Sequence, residues 1–272
     1  MFPTMRLTGL LTALCLPCLP LVGGAEIPLE VRLISEGRGI VCGKLFFVGL
    51  HLVHPPGAHT YWKNPGIVGV ATTVEWELPP GFSAGEIQWP APKVVKMASY
   101  DAQGYEGETL LMIPITPPRS LTSASVTLAA KVSWMCCGET CHPAVKVPFS
   151  LKLPVLSATE TDPANGGLFE KFRRFVPRPD PAWATTVTRH PGKITLTLQP
   201  PAGIPRLSGG HFFTADGQVD SNQKQQVEVL AEGGIRMTLA ATAPENAEKL
   251  SGVVGFSGVG DAPVFLEIDP AY

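Results

Sequence analysis

The sequence predicts an all-β protein built from antiparallel sandwiches, with one short helix between two runs of strands. Three observations carry this expectation. Apolar and polar residues alternate with period two along most of the chain, turn clusters separate the alternating runs, and a single stretch shows helical spacing. The composition agrees. The 272 residues include 28 Gly and 28 Pro, rich in turn formers yet below the roughly 25–30% Gly plus Pro that marks low complexity. Such a length forms one or two domains, each able to bury a core. A net charge of -2, with acids and bases interspersed, leaves no basic stripe to neutralise phosphates. Nucleic acid is therefore not an expected partner.

Taken in order, the chain opens with Arg6, an apolar run from Leu7 to Val22, and the small residues Gly23, Gly24 and Ala25. Residues 1–25 read as a cleaved secretory signal. A membrane anchor needs about 20 apolar residues, whereas this run is shorter and interrupted by Pro17 and Pro20. Cys15 and Cys18, although spaced C-x-x-C, would leave with the signal. Four of the six cysteines remain: Cys42, Cys136, Cys137 and Cys141. In an oxidising compartment such thiols form disulfides, and four allow three full pairings.

Strands follow. Ile27, Leu29, Val31 and Leu33 alternate with polar neighbours, as do Val74, Trp76 and Leu78, and then Val145, Val147, Phe149, Leu151 and Leu153. Further strands are expected over 45–53, 109–115, 125–136, 193–198, 211–214, 225–230, 235–240, 252–256 and 263–268. Between Asn165 and Val176, Leu168, Phe172 and Phe175 fall at helical spacing, with Pro163 before them and Pro177 after. The expected division is a first sandwich over 26–157, a helical linker over 158–178 and a second sandwich over 179–272.

The chemistry concentrates in Trp134-Met-Cys136-Cys137-Gly-Glu-Thr-Cys141-His142-Pro143. Alternation from Val126 through Trp134 places Cys136 on the core face and Cys137 on the outer face. A disulfide needs Cα atoms about 4.4–6.8 Å apart, so the chain must turn between Cys137 and Cys141. Gly138, Glu139 and Thr140 make a hairpin loop of common length. Closing so small a ring stabilises by only about 2 kcal/mol, against about 4.7 kcal/mol for a ring near 100 residues. Short, exposed disulfides are the labile ones. The pair is thus expected to be redox-active, with a passive clip or a metal site as alternatives. Cys42 and Cys136 are candidates for a second, structural disulfide, the alternative being two buried thiols.

The segment Trp134–Pro143 resembles the Trp-x-x-Cys-x-x-x-Cys-x-Pro signature of the N-terminal periplasmic domain of DsbD-type thiol:disulfide interchange proteins, especially the ScsB-like branch. So do His59-Thr-Tyr-Trp62-Lys-Asn-Pro-Gly66, Ile87-Gln-Trp89-Pro-Ala-Pro92 and Gly104-Tyr105-Glu106-Gly107-Glu108. Together these cover roughly residues 26–155. The resemblance implies immunoglobulin-like sandwiches, with Cys137 as the partner of Cys141. It also implies that Cys141 is the nucleophile, Cys137 the resolving thiol, and Tyr105 the aromatic of a cap loop. His142 beside Cys141 is either a solvated loop residue or an imidazolium favouring the thiolate. Glu106, Glu108 and Glu139 are candidate proton acceptors or ordinary loop residues.

The expected function is an exported interchange protein, periplasmic or secreted, relaying electrons without a cofactor. Its donor would be a membrane-embedded thiol reductase, acting in trans because no later apolar span follows. Its acceptors would be thioredoxin-like or substrate proteins. Competing expectations are a non-catalytic interaction module with a structural disulfide and a copper-binding accessory protein. No metal ligand set is assigned. His51 and His54 point to opposite faces of an extended strand and His59 lies beyond Pro55 and Pro56. Tyr61, Trp62, Trp76 and Trp89 read as packing aromatics. Hydrolase, nucleotide and zincin fingerprints do not occur.

Overall fold

The computed structural model describes residues 29–242, 247–257 and 264–272, so the expected leader lies outside the described residues. The strands of the first half are β1 (Glu30–Ser35), β2 (Phe46–Val53), β3 (His59–Gly66), β4 (Thr73–Glu77), β5 (Ser83–Ala84), β6 (Lys93–Met97), β7 (Tyr100–Glu106), β8 (Glu108–Thr116), β9 (Ser125–Cys137) and β10 (Cys141–Pro154). Helix α1 (Gly166–Arg173) follows. The second half contains β11 (Ala184–His190), β12 (Lys193–Gln199), β13 (Gly209–Thr214), β14 (Gln226–Val229), β15 (Ile235–Ala240), β16 (Gly252–Ser257) and β17 (Val264–Ile268).

These strands form four antiparallel sheets, paired into two immunoglobulin-like sandwiches. The first pairs β1-β2-β8-β5 with β10-β9-β3-β7-β6, where β4 also pairs with β9. The second pairs β11-β12-β15-β14 with β13-β16-β17. Alternation explains the first core. Leu50, Leu52 and Leu111 from one sheet meet Trp62, Tyr105 and Val132 from the other, while Val48, Ile113 and Ile115 pack with Val126 and Leu128.

Strand β8 is buried on both faces, because α1 covers the side facing away from the sandwich core. Phe169 and Phe172 seat against Leu110 and Met112, so the helix is a packed layer instead of a free spacer. Gly49 makes room for it. A Cβ there would lie 2.5 Å from Leu110 Cδ1 and 2.9 Å from Phe169 Cζ.

The sandwiches also meet each other. Phe213 and Val253 of the second join the cluster containing Leu50, Trp62 and Tyr105 of the first. Polar contacts flank this seam at Asp220-Ser221-Asn222. The Asp101 amide donates to Asn222 Oδ1 (2.8 Å), the Ser221 hydroxyl donates to the Asp101 carbonyl (3.1 Å), and the Ile67 amide donates to Ser221 Oγ (3.2 Å). Inside the seam, Gln103 Nε2 donates to the carbonyls of Asn64 and Thr214.

Candidate functional site

The hairpin of β9 and β10 carries the disulfide. Antiparallel register sets Cys141 directly opposite Cys137, and the two sulfurs are bonded. Gly138, Glu139 and Thr140 close the loop, with the Gly138 amide donating to the Thr140 carbonyl. The side of the sheet on which this disulfide lies depends on a β-bulge. Register runs from Ala144↔Trp134 to Val147↔Val132, so β10 carries one extra residue there. Alternation alone would put Cys141 and Val147 on one face. The bulge reverses the phase, so Val147 pairs with Val132 while Cys141 pairs with Cys137. Val145, expected to face the core, is instead turned outward and is 73% exposed.

At Cys137 the outer face of β9 is covered, contrary to what alternation suggests. Cys137 is 0% exposed, packed with Tyr61, Val95 and Ala102 and with half-buried Val68, Met97, Met135 and Cys141. Two segments cover it. Met97, at the β6–β7 turn, places Sδ 3.5 Å from Cys141 Sγ. The loop after β3 presses Gly69 onto the Tyr61 ring; at φ +105 and with a Cβ only 2.2 Å from Tyr61 Cε1, only glycine fits there. Cys141 stays half-buried, so the two sulfurs differ in access. Met97→Ala is expected to speed reduction of the disulfide by a small dithiol several-fold, measured as the rate of thiol release. An unchanged rate would show that Met97 does not cover the bond.

The other expected site residues are placed as follows. Tyr105 does not cap the disulfide: it is 4% exposed within the inter-sheet core, where its hydroxyl donates to the Pro90 carbonyl (2.7 Å) and burial pushes its pKa well up. The reason is parity, since Tyr105 on β7 faces inward while Ala102 and Gly104 share the opposite face. Cys42 and Cys136 are free and are not brought together. Cys42 lies near Pro118, at the end of the sheet where β9 starts, while Cys136 lies near the end of β9. Eleven residues of strand at about 3.3 Å each separate those ends by about 36 Å, far beyond disulfide reach. Burial raises the Cys136 thiol pKa.

His142 is paired in register with Cys136, on the face away from Cys141, and its Nε2 lies 2.8 Å from Thr140 Oγ1. Glu139 is exposed at the hairpin tip. Glu108 belongs to a different group: Lys171 and His51 bind its carboxylate, and the Lys171 hydrogen bond lowers its pKa. Glu106, by contrast, lies in register with His59, which in turn lies in register with Cys137.

Residues 42–152 match the family model described as thiol:disulfide interchange protein DsbD, N-terminal. That stretch holds β9, all but the last two residues of β10, and both covering segments. These residues are similar to the DsbD N-terminal domain. The N-terminal periplasmic domain of ScsB from Proteus mirabilis shares the fold of the longer chain, with a TM-score of 0.64 at 18% identity over 92% of this chain and 96% of that one. Spo0M, a sporulation control protein from Bacillus subtilis, aligns over 89% of this chain and 90% of its own at 11% identity, but its TM-score of 0.24 is too low to bear on the fold. No curated protein matches the chain. Within the matched stretch, Met97, His59 and Tyr61 are neighbours of the disulfide to which sequence reasoning gives no role at the site. Two signals bear on His59 and Tyr61: their i, i+2 spacing on a single strand face and their place in the His59–Gly66 motif.

Burial also holds three imidazoles neutral. His54, His59 and His211 have pKa values below the ordinary 6.5, each chiefly through desolvation. A folded-state pKa below the unfolded value means that the unfolded chain binds more protons as pH falls past about 6.5. Stability is therefore expected to decline from about pH 7 toward pH 5, before the carboxylates titrate. Urea midpoints across that window measure it, and a flat or rising profile on acidification would contradict it. His54→Gln should flatten the slope.

Proposed function

We propose that the protein is an exported thiol:disulfide interchange protein whose Cys137–Cys141 pair cycles between disulfide and dithiol. One observation supports this above the others: the disulfide sits at a hairpin mouth within a DsbD N-terminal-type domain, with one sulfur half-buried and the other sealed. A partner thiolate reaches Cys141 more readily, so Cys141 is the attacked and attacking sulfur and Cys137 the resolving one. In the forward direction the Cys141 thiolate attacks a partner disulfide, and a mixed disulfide forms as a partner thiolate leaves. Cys137 then attacks Cys141 Sγ, which releases the second partner sulfur and closes the intramolecular bond. Two electrons pass to the partner.

Within this proposal the compartment is the periplasm, reached by cleavage of residues 1–25. The donor is a membrane-embedded thiol reductase, and the acceptors are thioredoxin-like or substrate proteins. Residues 26–157 are the working domain, and 179–272 a second sandwich that supports it through residues 158–178. Trapping tests the function. Cys137→Ser, expressed in its own compartment, should accumulate mixed disulfides through Cys141; absence of adducts would count against exchange. A reduction potential below about -300 mV would mark a bond resistant to cellular reduction, favouring a structural clip.

A further inference from the structure

A row of side chains crosses the sheet at the disulfide. Register places Glu106 on β7 opposite His59 on β3, His59 opposite Cys137 on β9, and Cys137 opposite Cys141 on β10. Residues paired in register project from the same face with Cβ atoms about 4.5–5.5 Å apart. Exposure is graded along this row. Cys137 is 0% exposed and His59 2%, while Glu106 is open to solvent. The row thus links a sealed sulfur to water through one imidazole.

A sealed sulfur has a proton problem in both directions of exchange. A thiolate without solvent or a partner is costly in apolar surroundings, and those surroundings are Tyr61, Val95, Ala102 and Met135. The proton that Cys137 loses or gains needs an acceptor on the same face. We infer that His59 is the proton acceptor and donor for Cys137, and that Glu106 passes the proton between His59 and solvent. The inference rests on the exchange function proposed above and assigns a group to its resolving step.

The neighbours of His59 fit this role. Its Nε2 lies 3.2 Å from Tyr61 Oη, and the two rings meet edge to face with centroids 5.2 Å apart. In the tautomer whose Nε2–H donates to Tyr61 Oη, Nδ1 keeps the lone pair that accepts a proton, and Tyr61 holds the ring in place. Among the described residues, the titratable groups set around the imidazole are Cys137, paired with it in register from β9, Glu106, paired with it from β7, Tyr61 on its own strand, and His54 from the turn after β2, with Cys136 of β9 acting on Tyr61. Desolvation lowers the His59 pKa and the Glu106 charge raises it, leaving a neutral base near pH 7 that the carboxylate helps to protonate. Burial raises the Tyr61 hydroxyl pKa, which keeps it a neutral orienting group.

In the resolving step the Cys137 thiol gives its proton to His59 Nδ1, and its sulfur attacks Cys141 Sγ. The Cys141–partner bond breaks, the partner leaves as a thiolate, and the new bond is the Cys137–Cys141 disulfide. His59 then returns to neutrality by passing the proton to Glu106 and water. Reduction by a donor dithiol runs the same transfers in reverse.

The test needs no partner protein. In Cys141→Ser, the alkylation rate of Cys137 by iodoacetamide, followed against pH with peptide mass spectrometry to separate Cys42 and Cys136, reports formation of the Cys137 thiolate. Adding His59→Gln is expected to lower that rate about tenfold at pH 7 and to move the inflection to higher pH. Glu106→Gln, an exposed change, is expected to lower it two- to threefold. A purely structural role for His59 would leave the inflection in place. An unmoved pH profile in both variants overturns the inference; if His59→Gln does not fold, by circular dichroism, Glu106→Gln decides alone. Trapping with Cys137→Ser removes Cys137 and cannot register His59 in this role, so failure of exchange and failure of this inference give different results.

Discussion

Cys141→Ser is expected to reduce exchange with any disulfide partner to background, a loss of ~10³-fold or more, whereas Cys137→Ser keeps the first attack and loses only resolution. The asymmetry follows from access. Cys137 is sealed on one side by Tyr61 and Val95 and on another by the hairpin itself, so an incoming disulfide cannot reach it without opening the cover. Cys141 is half-buried, with Met97 Sδ against its sulfur. Stopped-flow measurement with a model disulfide, read by adduct mass, separates the two steps. Equal adduct formation through Cys137 in the Cys141→Ser protein would reverse the assignment of roles.

The largest stability effect is expected at Phe169. Its ring is 0% exposed and joins α1 to Leu110 and Met112 on the outer face of β8. Truncation to alanine removes a buried aromatic from a site whose floor, Gly49, offers no side chain to fill the space. A loss of about 3–5 kcal/mol is expected, with Leu110 and Met112 exposed if the helix undocks. Denaturant unfolding measures the loss, and Glu170→Ala on the solvent side of the same helix should stay within about 0.5 kcal/mol of the parent. A loss below about 1 kcal/mol for Phe169→Ala would mean that the helix is an incidental layer.

Much of this architecture was legible in the residues, for identifiable reasons. Strands β4, β9 and β12 have one face toward a core and one toward water or polar cover, so their sequences alternate. Strand β3 reads His-Thr-Tyr-Trp and is buried at all four positions, which erases the alternation and hid both the strand and its two site residues. Strands β6 and β7 escape the pattern too, since β7 carries Ala102 and Gly104 on its outer face, residues with no strand signal of their own.

The disulfide could be read from loop length and strand direction because Cys137 and Cys141 are local. Its cover could not. Met97 is 44 residues from Cys141 and arrives through the pairing of β6 with β7, a long-range register that spacing does not encode. The same distinction explains Tyr105 and Cys42. Motif resemblance and loop entropy point to a role for each, and each is decided by which face, or which end, of a sheet it occupies.

The contacts of Ser221 and Asn222 with Ile67 and Asp101 bear on how the molecule should be dissected. Both roots of the disulfide cover, one entering the loop after β3 and one leaving the β6–β7 turn, are fastened to the second sandwich. A fragment trimmed to the 42–152 stretch would keep every cysteine of the hairpin yet lose the anchorage of the shutters above it. Reactivity measured on such a fragment would describe an unlatched version of the site, so the two halves are one functional unit for the experimenter even though their sheets are separate.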